Sequence, residues 1–99
     1  MRFRNSEFYY TYIITNPGKT VLYTGMTNNL KRRLKEHADS KGKPNHFASK
    51  YYCFKLLYYE TFSTAKEPIT REKAIKDLSR EKKMELIKSE NPEMGFIVF

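Results

Sequence analysis

The chain lacks several features that would assign it to a specialised class of protein. It has one cysteine, Cys53, so it has no disulfide framework and no cysteine metal site. It has only four glycines and four prolines, and no internal repeat, low-complexity tract or interdomain linker. No apolar run approaches the length of a transmembrane helix, and none follows Met1–Glu7 as in a signal peptide. These absences predict a cytoplasmic protein without a membrane partner.

Acidic side chains are scarce relative to basic ones. Eleven Asp and Glu face nineteen Lys and Arg, for a net charge of +8. Residues 26–50 hold seven Lys or Arg and two Asp or Glu, a net charge of +5, whereas residues 51–99 have a net charge of only +1. Focused positive charge attracts polyanions and steers their approach. The distribution favours a nucleic-acid partner over a uniformly basic surface.

The hydrophobic pattern predicts strands near the N-terminus. The length of 99 residues suits a single domain. Residues 8–15 and 20–25 are rich in aromatic and β-branched side chains and predict a hairpin, closed by a type II turn at Asn16-Pro17-Gly18-Lys19. Antiparallel pairing would bring Tyr12 and Tyr23 close together.

The middle of the chain predicts a basic helix, a loop and a third strand. Thr27 or Asn28 can cap a helix that runs to about Ala38. Arg33 and His37, four residues apart, flank its apolar face on one side. That apolar face is formed by Leu30, Leu34 and Ala38. Lys31 and Lys35 flank it on the opposite side, and Arg32 points toward solvent. Residues 39–50 predict a polar loop, and residues 54–62 predict a strand.

Two further helices are predicted after that strand. Ser63 or Thr64 can begin the first of them, and Thr64 and Glu67 fit a capping box. Because of Pro68, either the first turn of a helix that started at Thr64 is distorted or regular helix starts nearer Pro68. Ser79 can cap a last helix that ends before Asn91-Pro92. The residues expected to share one face of the first of these helices are Ala65, Ile69, Glu72 and Lys76.

Five blocks of sequence occur in an order and spacing that carry more information than any block alone. They are Tyr10-Thr11-Tyr12, Tyr23-Thr24-Gly25, Leu30–His37, Arg71–Lys76 and Ser79–Lys83. Together they resemble the GIY-YIG nuclease superfamily, in particular small stand-alone bacterial proteins similar to the nuclease module of the excision-repair incision subunit. The resemblance covers about residues 8–93 of a single domain expected to span residues 1–99. It implies an α+β fold with a small antiparallel three-stranded sheet flanked by helices.

The resemblance also implies a function and a set of site residues. It implies metal-dependent hydrolysis of phosphodiester bonds in DNA, in repair or recombination, with Mg²⁺ or Mn²⁺ as the cofactor. The motif tyrosines correspond to Tyr12 and Tyr23, and the metal-binding carboxylate corresponds to Glu72. The other catalytic residues that it implies are Arg33 and His37, and Gly25 has a structural role in the motif. The residues predicted to bind nucleic acid are Lys31, Arg32 and Lys35.

The sequence departs from the family pattern at several positions. Tyr10 stands where the first tripeptide is named for glycine, and Met26 stands where some relatives have a lysine. Thr11 and Thr24 replace the isoleucines but keep the β-branch that suits a strand. The resemblance therefore predicts no catalytic help from a lysine at position 26.

Arg33, Tyr23 and His37 are each suited to a different part of the implied chemistry. Arg33 offers a planar fork that matches phosphate oxygens. Tyr23 could accept a proton from water only if its pKa were well below the usual value of about 10. His37 is expected to exchange protons near neutral pH and to share that role or orient Tyr23.

Each of these residues also has a simpler interpretation. Buried strand tyrosines commonly pack in a core with a bonded hydroxyl, and a helical arginine is commonly solvated. His37 could simply cap or pack, and Glu72 could be an ion-pair partner. The rival function is a nucleic-acid-binding module of the same fold that does not cut, in which Tyr51 or Tyr52 could stack on a base. The apolar tail, residues 95–99, either mediates association or packs on its own domain.

Overall fold

A three-stranded antiparallel sheet in the strand order β2-β1-β3 forms the centre of the protein. The structure is a computed structural model that describes residues 8–99. The α+β architecture with helices on the sheet, as predicted, is confirmed. The elements are β1 (Tyr9–Thr15), β2 (Leu22–Thr27), α1 (Leu30–Asp39), α2 (Phe47–Lys50), β3 (Lys55–Phe62), α3 (Lys66–Lys76) and α4 (Arg80–Glu90).

The central strand β1 is buried on both faces because helices cover both sides of the sheet. Tyr12 and Ile14 belong to a cluster that includes residues of α1 and α2. Ile13 faces the opposite side and packs in a cluster with Ile75 of α3 and Ile87 of α4. The alternation of side chains along a strand therefore assigns Tyr12 to the same side of the sheet as α1.

The hairpin turn lies where it was predicted, but the type II assignment is wrong. Lys19 has a positive φ of 58°, whereas Gly18 does not have the positive φ that a type II turn requires. The Asn16 side chain organises the turn: its Oδ1 accepts hydrogen bonds from the backbone N–H groups of Thr20 and Val21, at 2.8 and 3.0 Å. A local side-chain contact thus replaces the conformational role predicted for glycine.

Two helix caps can be compared with their predictions. Asn29 caps α1, because its side chain accepts a hydrogen bond from the backbone N–H of Arg32 at 3.0 Å, so the prediction of Thr27 or Asn28 is wrong. Thr27 instead supports the cap by accepting a hydrogen bond from the Asn29 N–H. The prediction of Ser79 is confirmed, since its side chain caps α4 through the N–H of Lys82.

The start of α3 differs from the prediction in a way that affects Glu72. Ala65 precedes the helix and its side chain makes no capping bond, so the Thr64–Glu67 capping box is wrong. The helix begins at Lys66, which puts Pro68 in the first turn, where a backbone donor has no partner within the helix. Pro68 is buried, and its carbonyl accepts a hydrogen bond from Thr11 Oγ1 at 3.0 Å. Pro68 therefore fastens the helix to β1 and does not interrupt it.

The residues predicted to share one face of α3 differ in their exposure. Ile69, Ala65 and Lys76 are exposed, whereas Pro68 and Ile75 are buried and Glu72 is partly buried. Positions 68, 72 and 75 recur at helical spacing, so Glu72 lies on the side of α3 that packs toward the sheet.

The segment predicted as a polar loop contains α2. Ala48 and Ser49 are buried, and the Ser49 hydroxyl is hydrogen-bonded to that of Ser40 at 2.8 Å. Small side chains thus anchor a single helical turn that the composition of the segment did not reveal.

The apolar tail packs on its own domain. Met94 is buried, and the backbone N–H of Ile97 donates to the carbonyl of Leu56 at 2.8 Å. The Phe99 ring meets the rings of Tyr10 and Tyr59 edge-on, at centroid distances of 5.7 and 5.1 Å. Of the helices in residues 8–99, none is long and apolar enough to span a membrane.

Candidate active site

The site begins with the close contact between Tyr12 of β1 and Gly25 of β2, which are paired across the hairpin. A Cβ atom added to Gly25 would lie 2.5 Å from Tyr12 Oη and 3.1 Å from Tyr23 Cε2. Any other residue at position 25 would therefore collide with the Tyr12 ring. Because both tyrosine rings border this one point, the predicted closeness of Tyr12 and Tyr23 is confirmed.

His37 of α1 joins the two tyrosines. Its Nε2 is hydrogen-bonded to Tyr12 Oη at 2.9 Å, and its ring centroid lies 5.9 Å from that of Tyr12 and 5.8 Å from that of Tyr23. His37 is buried, so the prediction that it flanks the apolar face of α1 is wrong and it belongs to the packed face.

Burial fixes the protonation states of this pair. It raises the pKa of Tyr12 to about 12, against the effect of the Arg33 guanidinium. Burial also lowers the pKa of His37 to about 4, and the Arg33 charge lowers it further while Glu36 opposes the change. At neutral pH, Tyr12 is thus a neutral phenol and His37 a neutral imidazole. The expectation that His37 exchanges protons near neutral pH is wrong.

Arg33 lies at the accessible side of the pair. It occupies α1 one turn before His37, and its side chain is 40% exposed. Partial burial lowers the pKa of Arg33, but Glu36 and Tyr12 oppose this effect and the net shift is upward. One guanidinium nitrogen donates to Glu36 Oε1 at 3.1 Å. Arg33 is therefore a charged donor that both solvent and an anionic ligand can reach.

The charge of Glu72, on α3, also acts on Tyr12. Its side chain is 21% exposed, and its charge contributes to raising the pKa of Tyr12, after the larger effects of burial and of Arg33 and Tyr23. Lys76 Nζ lies 3.0 Å from Glu72 Oε2, so the ion pair of the simpler interpretation is present. A second carboxylate near α3, that of Glu60, is held by two hydrogen bonds from Arg71 at 2.8 and 2.9 Å.

The described residues offer a metal ion few protein ligands. Residues 8–99 contain no group of three or more His, Cys, Asp or Glu side chains that could hold one. Mg²⁺ commonly binds through one or two carboxylates and completes its shell with water and substrate phosphates. Glu72 fits that mode because its carboxylate is partly accessible and its charge acts on Tyr12.

The basic residues Lys31, Arg32 and Lys35 of α1 are exposed, and two of them form ion pairs with carboxylates. Lys35 Nζ lies 2.8 Å from Asp39 Oδ2, and Arg32 Nε lies 3.6 Å from Glu36 Oε2. Lys31 is exposed as well. Ion pairs between such exposed groups are weak, so these side chains remain available to a polyanion.

Comparison with known proteins identifies the domain. The family described as the GIY-YIG catalytic domain matches residues 8–85. The chain belongs to the GIY-YIG family. A UPF0213 protein of Clostridium perfringens is 38% identical over 82 residues, which cover 83% of this chain and 85% of that protein. A UPF0213 protein of Bacillus licheniformis is 37% identical over 89 residues, covering 90% of this chain and 87% of the relative.

A solved structure agrees with these relatives. The solution NMR structure of a UPF0213 protein from Bacillus halodurans has 31% identity and a TM-score of 0.54, and the match covers 85% of this chain and 86% of that one. Membership of the GIY-YIG family, predicted from the sequence, is therefore confirmed. The names of these relatives state no activity.

The departures from the GIY-YIG pattern have structural counterparts. Thr11, which replaces an isoleucine, uses its hydroxyl to bond the Pro68 carbonyl. Tyr10, which stands in place of glycine, packs its ring on those of Tyr59 and Phe99 at 6.2 and 5.7 Å. The first tripeptide thus joins β1 to α3 and to the C-terminal tail.

An aromatic contact of the GIY-YIG site was missed in the sequence. The rings of Tyr23 and Phe47 are stacked, with centroids 6.2 Å apart and planes inclined by 24°. Phe47 also contacts Tyr51, with ring centroids 4.8 Å apart. The spacing of four residues between Phe47 and Tyr51 was a helical signal that could have revealed α2.

The lowered pKa of His37 predicts a stability that falls in mild acid. Because the folded-state value of about 4 lies below the ordinary value of 6.5, the unfolded chain binds a proton more readily. The contribution of neutral His37 to the free energy of unfolding is complete above pH 6.5 and is lost as the pH falls toward 4. We expect the free energy of unfolding of the parent to fall by on the order of 1–3 kcal/mol from this cause. The His37→Gln variant should not show this loss, because glutamine does not titrate.

Urea unfolding between pH 7.5 and pH 4 measures this effect. The matched control is His46→Gln, because His46 is exposed and makes no capping bond with its side chain. The control should follow the parent protein. A His37→Gln variant with the parent's pH dependence would contradict the prediction.

Proposed function

We propose that the protein is a metal-dependent endonuclease that hydrolyses phosphodiester bonds in DNA. The observation that supports this most is the meeting of Tyr12, Tyr23, Arg33 and His37 around one buried hydroxyl, with the charge of Glu72 acting on it. A tyrosine that served only the core would need no accessible guanidinium and no carboxylate beside it. Cation and carboxylate together suit a phosphate and a metal ion.

The accessible residues would act on the substrate. Arg33 would bind two phosphate oxygens with its planar fork and stabilise the charge that develops on them. The Tyr23 hydroxyl, on a half-buried side chain, would hold and orient the attacking water. These are the two side chains that a phosphate could touch at the mouth of the site.

The buried pair would position the accessible residues. Tyr12 keeps its proton at neutral pH, because burial raises its pKa to about 12, so it does not act as a base. His37 fills the space between Tyr12 and Tyr23 and bonds the Tyr12 hydroxyl. Together they hold the Tyr23 ring in a fixed orientation.

Glu72 would hold the metal ion. When bound, Mg²⁺ or Mn²⁺ neutralises charge on the phosphate and lowers the pKa of a bound water. Lys76 would have to release the Glu72 carboxylate, and its side chain is 51% exposed and free to turn into solvent. Lys76 therefore competes with the cation for Glu72.

The second candidate is a module of the same fold that binds nucleic acid without cutting it. The ion pair between Glu72 and Lys76 and the low pKa of His37 favour it, because they leave neither a free metal ligand nor a base that titrates near neutral pH. Both candidates predict binding, and only the first predicts cleavage.

A cleavage assay separates the two candidates. Single-stranded, duplex, flapped and branched DNA are incubated with Mg²⁺ or Mn²⁺, and in parallel with chelator. Cutting that requires the metal supports the endonuclease, whereas binding without cutting of any substrate supports the module. Cleavage confined to flapped or branched DNA would also support a role in repair or recombination.

The basic surface of α1 predicts how binding depends on salt. Changing Lys31, Arg32 and Lys35 to Gln should weaken DNA binding at all sequences and reduce the slope of log K against log salt by about 1–3. Filter binding or fluorescence anisotropy at several salt concentrations measures the slope. The matched control changes Lys82, Lys83 and Lys88 of α4 to Gln. Equal slopes for the parent and the α1 variant would assign the DNA to another face.

A further inference from the structure

Two exposed aromatic rings lie beside the candidate site. Phe47 is 53% exposed and Tyr51 is 41% exposed. The helical turn that carries Phe47 is anchored by Ala48 and Ser49, which are buried instead. Small side chains thus face the core while large apolar rings face solvent, which is the reverse of what packing alone would favour.

The ring of Phe47 continues a stack that begins at the site. Its plane is inclined by only 24° to that of Tyr23, and the Tyr23 ring in turn contacts His37. Another flat ring on the outer face of Phe47 would extend the series from Tyr23. The position next to the expected scissile phosphate is therefore suited to a planar group.

Other aromatic rings of the protein are already covered by its own cations. Lys19 and Lys55 lie over the Phe96 ring, 5.0 and 5.4 Å from its centroid. Within residues 8–99, no lysine or arginine lies over the ring of Phe47 in this way. Lys50 lies over the neighbouring Tyr51 ring at 5.4 Å. The exposed Phe47 ring thus has no cation of the described residues over it, and a positive charge stands next to it.

The charge around these rings indicates what would cover them. Residues 39–52 contain Lys41, Lys43 and Lys50 against a single acidic residue, Asp39. Aromatic rings set among lysines bind single-stranded nucleic acid by stacking on bases while the cations contact phosphates. A second copy of this chain is a poor occupant, because it carries the same net charge of +8 and would be repelled.

We infer that the Phe47 ring, with Tyr51 and Lys50 beside it, forms a stacking platform for an unpaired base of a DNA strand, next to the phosphate held in the site. This inference rests on the proposed function for the identity of the nucleic acid and deepens it by naming the substrate class. The bases of an intact duplex are stacked on each other and cannot reach the platform. The protein therefore prefers DNA with a single-stranded segment at the site, such as a flap, a gap or an overhang.

Binding measured without cleavage tests the platform. A single-stranded oligonucleotide that carries 2-aminopurine is titrated with protein in the presence of chelator, and anisotropy gives the Kd. Phe47→Leu keeps an apolar contact with Tyr23 but removes the ring, so we expect the Kd for single strands to rise at least about 5-fold. We also expect 2-aminopurine emission to be quenched by the parent and much less by Phe47→Leu. Duplex binding should change less than about 2-fold, because paired bases do not reach the ring.

Two further variants control for folding and for the general loss of an aromatic ring. Phe47→Tyr retains the ring and should bind single strands as the parent does. Phe96→Leu removes another exposed ring, one that is 40% exposed and lies between two lysines, and it should also bind as the parent does. Circular dichroism and thermal unfolding establish that each variant is folded.

The outcomes separate the platform from the proposed function. An unchanged Kd for Phe47→Leu, equal losses for Phe96→Leu, or a parent that does not bind single strands would overturn the platform, whether or not the protein cuts DNA. A parent that binds through Phe47 but never cuts would overturn the endonuclease and leave the platform standing. Sedimentation showing a dimer that Phe47→Leu dissociates would assign the rings to self-association and overturn the inference.

Discussion

Glu72→Gln should lower the rate of DNA hydrolysis at limiting Mg²⁺ by at least about 100-fold, because it removes the only charged metal ligand proposed for the site. The substitution keeps the shape of the side chain. It also removes the ion pair with Lys76, whose side chain is 51% exposed, and pairs of this kind contribute little to stability. The fold should therefore be intact, which circular dichroism and thermal unfolding would verify.

Two other variants sharpen this test. Glu67→Gln removes an exposed carboxylate from the first turn of the same helix and should cut as the parent does. Lys76→Gln should lower the Mg²⁺ concentration needed for half-maximal cleavage, because it removes the cation that competes for Glu72. A Glu72→Gln variant that cuts at the parent's rate at limiting Mg²⁺ would exclude Glu72 as the ligand.

The strands could be predicted from the sequence because their signals are local. Aromatic and β-branched runs indicate β1, β2 and β3. The Ser79 cap is likewise visible as a hydroxyl that precedes a helical pattern. These elements need only neighbouring residues to be specified.

The errors arise where a distant contact or a competing local bond decides the conformation. Pro68 was expected to distort the first turn of a helix that started at Thr64, but α3 starts at Lys66 and the Pro68 carbonyl bonds Thr11, which lies 57 positions away in the chain. The Asn16 side chain satisfies the backbone of the hairpin turn, so glycine was not required to have a positive φ. Neither contact is visible from hydrophobic periodicity.

The candidate site shows the same difference between what local sequence indicates and what long-range packing decides. Sequence blocks could select Tyr12, Tyr23, Arg33 and His37 as a set, but they could not reveal how deeply each is buried. The bond between Tyr12 and His37 joins residues 25 positions apart, and burial then lowers the pKa of His37 to about 4. Protonation states depend on packing, and therefore required the structure.

Arg33→Lys should separate binding from catalysis. Lysine keeps the positive charge but loses the planar fork that bonds two phosphate oxygens at once. Because Arg33 is 40% exposed and its neighbour Glu36 can also pair with a lysine, the fold and the electrostatic attraction for DNA should persist. We expect the Kd for DNA to rise less than about 3-fold and single-turnover cleavage to fall about 100-fold.

The change in Kd and the change in cleavage rate can differ, because losing an interaction made only in the transition state lowers the cleavage rate without weakening binding. Binding is measured with chelator and cleavage with Mg²⁺, on the same oligonucleotide. Arg32→Lys is the matched control, since Arg32 is on the same helix and is exposed to solvent, and it should change neither quantity. Equal losses of binding and cleavage in Arg33→Lys would mean that Arg33 only docks the DNA, and the charge stabilisation proposed for it would have to come from the metal held by Glu72.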